Sequence, residues 1–193
     1  ANGLVAMHGD EHQRTDAIVT AVVEALAAGR DVIVAADTRA QVLELNRAIR
    51  GALVRAGVVD GYDEVLLPGG PISAGDRIVT RRNDTDLGDA NRDSWTVTQV
   101  HDDQSVTVTG KPGQRHLPAE YVQQHVELSY ATTVHGAQGD TVDHAHLVLR
   151  DTTGAAAAYV GMTRGRQANT AHIVADSLPD AREQWTATFG RDR

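Results

Sequence analysis

A glycine-containing segment that follows a strand-like run is the first place where this sequence could do chemistry. In YATTVHGAQGDTVD (130–143), the β-leaning residues run into four that suit a polar turn: His135, Gly136, Gln138 and Gly139. A strand that runs into such a turn and then into the start of a helix leaves backbone N–H groups pointing outward, where they can meet a phosphate or a nucleic-acid backbone. Taken alone, the pattern favours a simple turn in which the histidine caps backbone, because short motifs often match by chance.

A second segment, AYVGMTRGRQ (158–167), places Arg164 and Arg166 where an apolar helix is predicted to end. Cations near a helix C-terminus are favourable in any case, so simple capping is one interpretation. The other is an arginine finger, a guanidinium that reaches a γ-phosphate and stabilises the charge that develops in phosphoryl transfer. Because both segments occur in this order, separated by one predicted strand, the functional interpretation gains weight for each.

The elements that must position these residues follow from the spacing of apolar side chains. A helix with its N-cap at Thr15 and Asp16 precedes DVIVAAD (31–37), a short continuous apolar run typical of a strand buried on both faces. A second helix follows, and this order predicts a parallel sheet covered by helices. After residue 125 the same style returns, and we predict two buried strands, a helix and a final strand in VELSYATTV, HAHLVLR, GAAAAYVGMTRGRQ and TAHIVAD.

Between these parts the sequence changes to short alternating strands. SWTVTQV and SVTVTG flank HDDQ, which predicts a hairpin, and TGKPGQR is predicted to be another hairpin tip. We therefore predict a discontinuous α/β domain at 1–67 and 126–193, with a small antiparallel β-barrel inserted at 68–125.

Composition narrows the classes of protein that fit. The chain has 193 residues, 41% of them hydrophobic, a formal net charge of −8 and no cysteine. An acidic chain is a poor general DNA binder, so a nucleic-acid role needs a local site or basic surface supplied from elsewhere. No apolar run approaches the ~18 residues of a membrane span, and no signal peptide is visible, so we expect a cytoplasmic protein without a membrane partner.

Three segments together resemble a known family. TVHGAQGDTVD resembles motif V of superfamily 1 helicases, and YVGMTRGR resembles their motif VI. GDRIVTRRND followed by SWTVTQV resembles the place in the RecD-like branch where a Src-homology-3-type barrel is inserted into the second RecA-like domain. The resemblance covers most of 30–175 and is closest to the helicase part of TraA-like (MobF-type) conjugative relaxases. It implies a RecA-like, P-loop-NTPase-type parallel sheet that serves as the second motor domain and has no P-loop itself.

The resemblance also implies roles for individual residues around the nucleotide. Arg164 matches the motif VI arginine that reaches the ATP γ-phosphate and is the expected catalytic residue. Gln138 and Gly139 match motif V positions near the nucleotide. Arg166 matches the second motif VI arginine, which is expected either to bind nucleotide or to be structural.

Other positions are expected to face DNA or to support motif VI. Thr133 and His135 match positions that face the single strand, and Tyr159 and Thr163 match positions that pack and orient the motif VI helix. The sequence departs from the family at Gly136, where Lys or Arg is common, and at VGM, where VAL is the commoner sequence before Thr-Arg. We expect the first change to weaken a phosphate contact and the second to be tolerated.

Three further residues are candidate DNA contacts on their chemistry alone. Arg81 and Arg82 could touch phosphates, although a solvated barrel edge explains them equally well. Trp95 could stack on a base, but a small barrel needs a core aromatic, so packing is favoured. No metal site is expected, because His144 and His146 on one strand face have no third ligand at a clear spacing.

Several parts of a complete motor are missing from this sequence. There is no G-x-x-x-x-G-K-[ST] and no apolar strand that ends in Asp-Glu, so neither a P-loop nor a Mg²⁺ site is predicted. HGDEHQ (8–13) matches the helicase motif III pattern by chance in our interpretation, with Glu11 and Asp16 as solvated charges. ATP and Mg²⁺ are therefore expected to bind only in a full-length protein that has an N-terminal Walker-type domain, and not to this chain alone.

Two functions of different classes remain open at this point. The first is the second motor domain of an ATP-dependent DNA helicase or translocase, within a conjugative relaxase-helicase or an exonuclease V alpha-like protein. Single-stranded DNA, the Walker-type domain and a relaxase domain would be its partners. The alternative is a non-catalytic, helicase-like module for DNA binding or scaffolding. The pair of motifs favours the first, whereas the acidic charge and Gly136 favour the second.

Overall fold

The chain divides into two compact units in a computed structural model, which describes residues 2–81 and 93–191. The first unit is Ala1–Ile49 with Ala131–Arg193, and the second is Arg50–Tyr130. The sequence-based boundaries at 68 and 125 stay a prediction. Within the described ranges, none of the helices is both long and apolar enough to cross a membrane.

The elements follow one another along the chain in this order: β1 (Asn2–His8), α1 (Glu11–Ala27), β2 (Val32–Ala36), α2 (Arg39–Arg55), β3 (Val65–Leu67), β4 (Gly70–Ile72), β5 (Arg77–Thr80), β6 (Ser94–Val100), β7 (Val106–Gly110), β8 (Gly113–Leu117), α3 (Ala119–His125), β9 (Val126–Leu128), β10 (Ala131–Thr133), β11 (Val142–Val148), α4 (Ala155–Gly161), β12 (Gly165–Val174) and α5 (Leu178–Thr188).

A five-stranded parallel sheet forms the centre of the first unit, in the order β1-β12-β11-β2-β10. All five residues of β2 are buried, as its continuous apolar run predicts. The core on this sheet includes Ile33, Leu147 and Ile173. The predicted α/β class with a parallel sheet is therefore confirmed, although β1 was not predicted from the sequence.

Helix α1 begins earlier than predicted. Asp10 is its N-cap, with an extended backbone and a carboxylate Oδ1 that accepts the N–H of Gln13 at 2.8 Å. The prediction of a cap at Thr15 and Asp16 was therefore wrong by more than one turn. Glu11 is also more than a solvated charge, because it pairs with the buried Arg14 and with Arg150.

One predicted strand is in fact two. VELSYATTV contributes β9 to the second unit and β10 to the first, with Ser129 and Tyr130 between them. Continuous apolar character cannot reveal this division, because both pieces are buried strands and only their partners differ: β9 pairs with β5, and β10 pairs with β2.

The described strands of the second unit pair in antiparallel fashion. Its larger sheet has the order β8-β7-β6-β5-β9, and β3 and β4 form a separate hairpin. Both predicted hairpin tips are confirmed, between β6 and β7 and between β7 and β8. Among the described strands, β8 and β9 lie at the two edges of the sheet, so a closed barrel stays a prediction.

A buried ionic network joins α2 to the sheet-forming part of the second unit. Arg50 donates from Nε to Asp76 Oδ2 and from Nη2 to Glu64 Oε1, both at 2.8 Å. The Tyr130 hydroxyl donates to the other oxygen of Asp76 at 2.7 Å, and burial next to this carboxylate raises the pKa of Tyr130. The N–H of Ser73 also donates to Asp76, which is fully buried. Both oxygens of the Asp76 carboxylate therefore accept hydrogen bonds.

We expect Asp76→Ala to lower the free energy of unfolding of this unit by about 3–5 kcal/mol, because it leaves Arg50 buried without its main counter-ion. Urea unfolding followed by Trp95 fluorescence, in a Trp185→Phe background, measures this unit. Glu127→Ala is the matched control, since it removes an exposed ion pair with Arg81 and should cost less than about 1 kcal/mol. Equal losses in the two variants would contradict this account of the network.

Three histidines form a chain across neighbouring strands of the first unit. His8 Nε2 lies 3.0 Å from His172 Nδ1, and His172 Nε2 lies 2.9 Å from His146 Nδ1. His172 and His146 are buried, and the remaining nitrogen of His146, Nε2, has no hydrogen-bond partner among the described residues. Each bond joins one N–H donor to one bare nitrogen, which is the pattern of neutral imidazoles.

Candidate functional site

The segment that resembles motif V crosses the parallel sheet of the first unit. It connects β10 to β11, which lie on opposite sides of β2 and parallel to it. Residues 134–141 must therefore run from the carboxyl end of one strand back to the amino end of the other. They do so in successive turns, with Ala137 N–H donating to Thr133 O and Asp140 N–H donating to Ala137 O. A turn was predicted here, but the helix start expected after it is absent from this described segment.

Some residues of this segment are buried and anchor it, whereas others face solvent. Val134 and Ala137 are buried in the core, whereas His135 and Gln138 are exposed. Gly139 has φ +95°, which few side chains tolerate, so a glycine is required there. The polar groups singled out from the sequence are thus presented on the surface by a segment that the core holds in place.

Thr133 stabilises the start of the same turn. Its Oγ1 accepts the N–H of Gly136 at 3.1 Å, and Gly136 itself is buried. The hydroxyl is therefore engaged by backbone, and the side chain is only partly exposed. The DNA-facing role of Thr133 and of the exposed His135 stays a prediction.

Arg164 lies beside the far end of this crossing segment. It follows α4, which ends at Gly161, and its guanidinium makes three hydrogen bonds to uncharged acceptors. Nε donates to Val160 O at 3.0 Å, Nη2 donates to Thr163 Oγ1 at 2.9 Å, and Nη1 lies 3.4 Å from Asp140 O. Asp140 is the neighbour of Gly139, so the structure brings together the two segments that the sequence singled out.

Arg166 is not at a helix end, contrary to the sequence-based prediction. It belongs to β12, because α4 ends five residues earlier. It donates to Asp143 Oδ1 at 3.0 Å, and the other oxygen of Asp143 accepts the N–H of Asp31. That backbone bond, followed by the bond from Arg166, lowers the pKa of the Asp143 carboxyl. The ion pair favours the structural interpretation of Arg166, and its nucleotide-binding role stays a prediction.

The helix that resembles motif VI differs from expectation at Tyr159. This ring is 68% exposed rather than packed, so the expected packing role was wrong. Thr163 does orient the turn, since its hydroxyl donates to Tyr159 O at 2.8 Å. A Cβ on Gly161 would lie 2.7 Å from Leu147 Cδ1, so a glycine lets the helix end approach β11 closely. That contact gives a physical reason for VGM in place of VAL.

The three candidate DNA contacts on the second unit have different surroundings. Arg81 is partly exposed and donates from Nε to Glu127 at 2.9 Å, so a phosphate would have to compete with that carboxylate. Arg82 lies outside the described residues. Trp95 is 2% exposed, and a Cβ on Gly110 of the neighbouring strand would lie 2.8 Å from its ring. Base stacking by Trp95 is thus excluded in this conformation, and packing, the favoured interpretation, is confirmed.

Among the described residues, no acidic or histidine cluster offers an alternative metal site. Within residues 2–81 and 93–191, no group of three His, Asp or Glu side chains could hold a metal ion. Asn169, a buried side chain that bonds to the backbone next to Arg164, was not predicted from the sequence. Gly165 was placed at the end of a predicted helix and Asn169 between that helix and the final predicted strand, so no pattern indicated that the two residues meet.

The fold with its parallel sheet resembles the RecA-like domain of Pif1 helicases. The structure of Bacteroides Pif1 bound to ssDNA superposes with a TM-score of 0.55 at 17% identity, over 81% of this chain and 48% of that one. Pif1 from Candida albicans gives a TM-score of 0.51 at 13% identity, over 92% and 57% of the two chains. At these identities the likeness concerns the fold.

Relatives in sequence show more closely which class of protein the chain resembles. The chain is 31% identical over 142 residues to the conjugal transfer protein TraA of Agrobacterium fabrum, which covers 72% of this chain and 13% of TraA. It is 32% identical over 123 residues to the multifunctional conjugation protein TraI of Escherichia coli K12, which covers 60% and 7%. These matches confirm the resemblance to the helicase part of TraA-like conjugative relaxases.

The match extends over only part of each relative. An uncharacterised protein of Mycobacterium tuberculosis is 35% identical over 86 residues, which is 43% of this chain and 49% of that protein. The chain thus spans about half the length of this relative and much less of TraA and TraI. No family model matches the chain.

Proposed function

We propose that this chain is the second motor domain of an ATP-dependent DNA helicase or translocase of the conjugative relaxase-helicase type. The observation that carries the proposal is the position of Arg164 beside Gly139 and Asp140 at one surface of the first unit. A TraA-type relative and a fold shared with Pif1 bound to ssDNA support the helicase class. An exonuclease V alpha-like protein is the other setting in which such a domain would work.

The residues at this surface fit the triphosphate of a nucleotide held by a neighbouring domain. The three acceptors of the Arg164 guanidinium are uncharged, so they orient the side chain without cancelling its charge. Gln138 is exposed two residues before Asp140 in the same segment and offers a neutral donor and acceptor. ATP, when bound with Mg²⁺, would supply the phosphoryl group that is transferred to water.

This chain's own part in the reaction is electrostatic. Arg164 would place a fixed positive charge near the terminal phosphate, where negative charge grows as the bond to the leaving group breaks. Gln138 and the backbone around Gly139 would lie near that phosphate, so its presence or loss would change the conformation of the crossing segment. His135 lies at the other end of the same segment and would meet the single strand there.

The alternative, a non-catalytic module for DNA binding or scaffolding, has one observation in its favour. Gly136 is buried, and its N–H donates to Thr133 Oγ1. A glycine at this position has no cationic side chain that could contact a phosphate. The two proposals differ in what removal of Arg164 does to ATP turnover, because a scaffold has no turnover to lose.

We expect the 193-residue chain alone to show no Mg²⁺-dependent ATP hydrolysis above the buffer background. The reason is that its sequence has no phosphate-cradling loop with a lysine and no strand that ends in Asp-Glu to hold the metal. A phosphate-release assay on the purified chain checks this. The Arg164→Ala chain is the control, since a trace contaminant would be unaffected by it. Hydrolysis that disappears with Arg164→Ala would contradict the need for a second domain.

A further inference from the structure

An irregularity in β12 lies immediately after Arg164. Between Val142 and His144 of β11 there is one residue, whereas the paired residues of β12, Gly165 and Ala168, have two between them. β12 therefore has a β-bulge at its start, and bulges commonly redirect a neighbouring side chain. A regular strand would place residues 165 and 169 about 13 Å apart, at ~3.3 Å for each residue.

The bulge brings Asn169 back to Gly165. Asn169 Oδ1 accepts the N–H of Gly165 at 2.8 Å, and Asn169 Nδ2 donates to the carbonyl of Gly165 at 3.0 Å. The amide orientation is unambiguous, because a backbone N–H only donates and a carbonyl only accepts. Asn169 is 3% exposed, so these bonds are shielded from water.

The backbone at position 165 is closely packed and requires a glycine. A Cβ there would lie 2.0 Å from the carbonyl oxygen of Ala168, which no other residue type could accommodate. The carbonyl of Arg164 accepts the N–H of Val142 at 3.0 Å. The backbone on both sides of the Arg164–Gly165 bond is thus fixed, by β11 on one side and by a single buried side chain on the other.

We propose that Asn169 is a positioning residue for Arg164: by holding the bulge closed on Gly165, it sets the direction in which the guanidinium leaves the sheet. This inference rests on the proposed function, since it concerns the same arginine. Asn169 has no other assigned part, and it touches neither nucleotide nor DNA in the proposal. Its effect on turnover would be exerted entirely through Arg164.

The chain offers a matched control for the loss of such a side chain. Asn46 is 5% exposed and makes the same pair of bonds to the backbone of Ala131, with Oδ1 accepting at 2.8 Å and Nδ2 donating at 3.1 Å. Asn46→Ala and Asn169→Ala therefore remove the same chemistry from two places in the first unit. Only the second of these places adjoins Arg164.

The experiment uses the full-length protein and compares four variants: Asn169→Ala, Asn46→Ala, Arg164→Ala, and Arg164→Ala combined with Asn169→Ala. For Asn169→Ala we expect kcat to fall about 10²-fold, the scale of a misplacement near 1 Å, while the KM for ATP changes less than about threefold. The same substitution should cause no further loss of kcat when Arg164 is already alanine. Asn46→Ala should lower the melting temperature by a similar amount but leave kcat near that of the wild type.

A second readout does not depend on activity. In the ¹⁵N-labelled chain, the Nε–H of Arg164 donates to Val160 O and should give a resolved, slowly exchanging signal. Asn169→Ala should shift this signal and speed its exchange, whereas Asn46→Ala should not.

Failure of this inference is separable from failure of the proposed function. If Arg164→Ala keeps normal turnover, the proposed function is wrong whatever Asn169 does. If Arg164→Ala loses turnover but Asn169→Ala matches Asn46→Ala in kcat, or its loss multiplies with that of Arg164→Ala, the positioning role is overturned. An unchanged Arg164 signal in Asn169→Ala would overturn it as well.

Discussion

Arg164→Ala in the full-length protein is expected to lower ATP turnover by about 10³–10⁵-fold, the range for arginines that stabilise phosphoryl transfer. The binding of ATP should fall far less, because the contact strengthens as charge develops on the phosphate. Folding should be nearly intact, since the side chain is partly exposed and its acceptors are neutral. Loss of each such hydrogen bond costs about 1 kcal/mol of folding free energy.

Kinetics and thermal unfolding on the same samples test this prediction. Arg182→Ala is the matched control, because it removes an exposed arginine from α5 of the same unit. Arg164→Lys keeps the charge but loses the planar fork of donors, so its turnover should lie between the other two. If Arg164→Ala is well folded and turns over ATP at a near-normal rate, the residue has no part in the mechanism.

The second large effect is expected from acid. Burial lowers the pKa of His172 to about 3, and the neighbouring His146, His8 and Arg14 reinforce this effect. Burial and the neighbouring His144 lower the pKa of His146 to about 4. The pKa of an unfolded histidine is about 6.5, so below that pH the unfolded chain binds protons that the folded chain does not. Stability is fully present above about pH 6.5 and is lost as the pH falls toward 4.

The size of this loss follows from two histidines at about 1.4 kcal/mol per pH unit each. Between pH 7 and about pH 4.5 the free energy of unfolding of the first unit should fall by about 5 kcal/mol. Trp185 packs against the core of this unit, so its fluorescence in a Trp95→Phe background follows urea unfolding at each pH. His172→Gln should remove about half of the pH-dependent loss.

His12→Gln is the control for this titration, because His12 lies on the exposed face of α1, where it pairs with Asp16. It should keep the full pH dependence of the wild type. Each variant is compared with itself at the two pH values, so a general loss of stability does not affect the result. The same pH dependence in His172→Gln as in wild type would show that the histidine chain is not the cause.

The sequence predicted those features that depend on local pattern. The buried strand at 31–37, the two hairpin tips and the parallel sheet follow from apolar periodicity and turn chemistry, and the structure confirms them. The resemblance implied that Arg164 and the segment after β10 lie near the same nucleotide, and the structure places the Arg164 guanidinium beside Asp140 of that segment. Their catalytic and nucleotide-binding roles stay predictions.

Features that depend on contacts across the fold were missed. Asp10 rather than Thr15 begins α1, because its carboxylate reaches the N–H of Gln13. Helix α4 stops at Gly161, and the chain enters a bulge that Asn169 closes from a position four residues past Gly165. The three histidines are far apart in sequence and meet only because β1, β12 and β11 are neighbours.

The most direct measurement of the central claim is a crosslinking experiment on the full-length protein. An ATP analogue with a photoreactive group on its γ-phosphate is bound in the presence of Mg²⁺ and single-stranded DNA, and the labelled peptides are identified by mass spectrometry. The account predicts labelling within 138–140 or 159–165 of this chain, lost when excess ATP competes. Labelling confined to other parts of the protein, with none in these two segments, would contradict it.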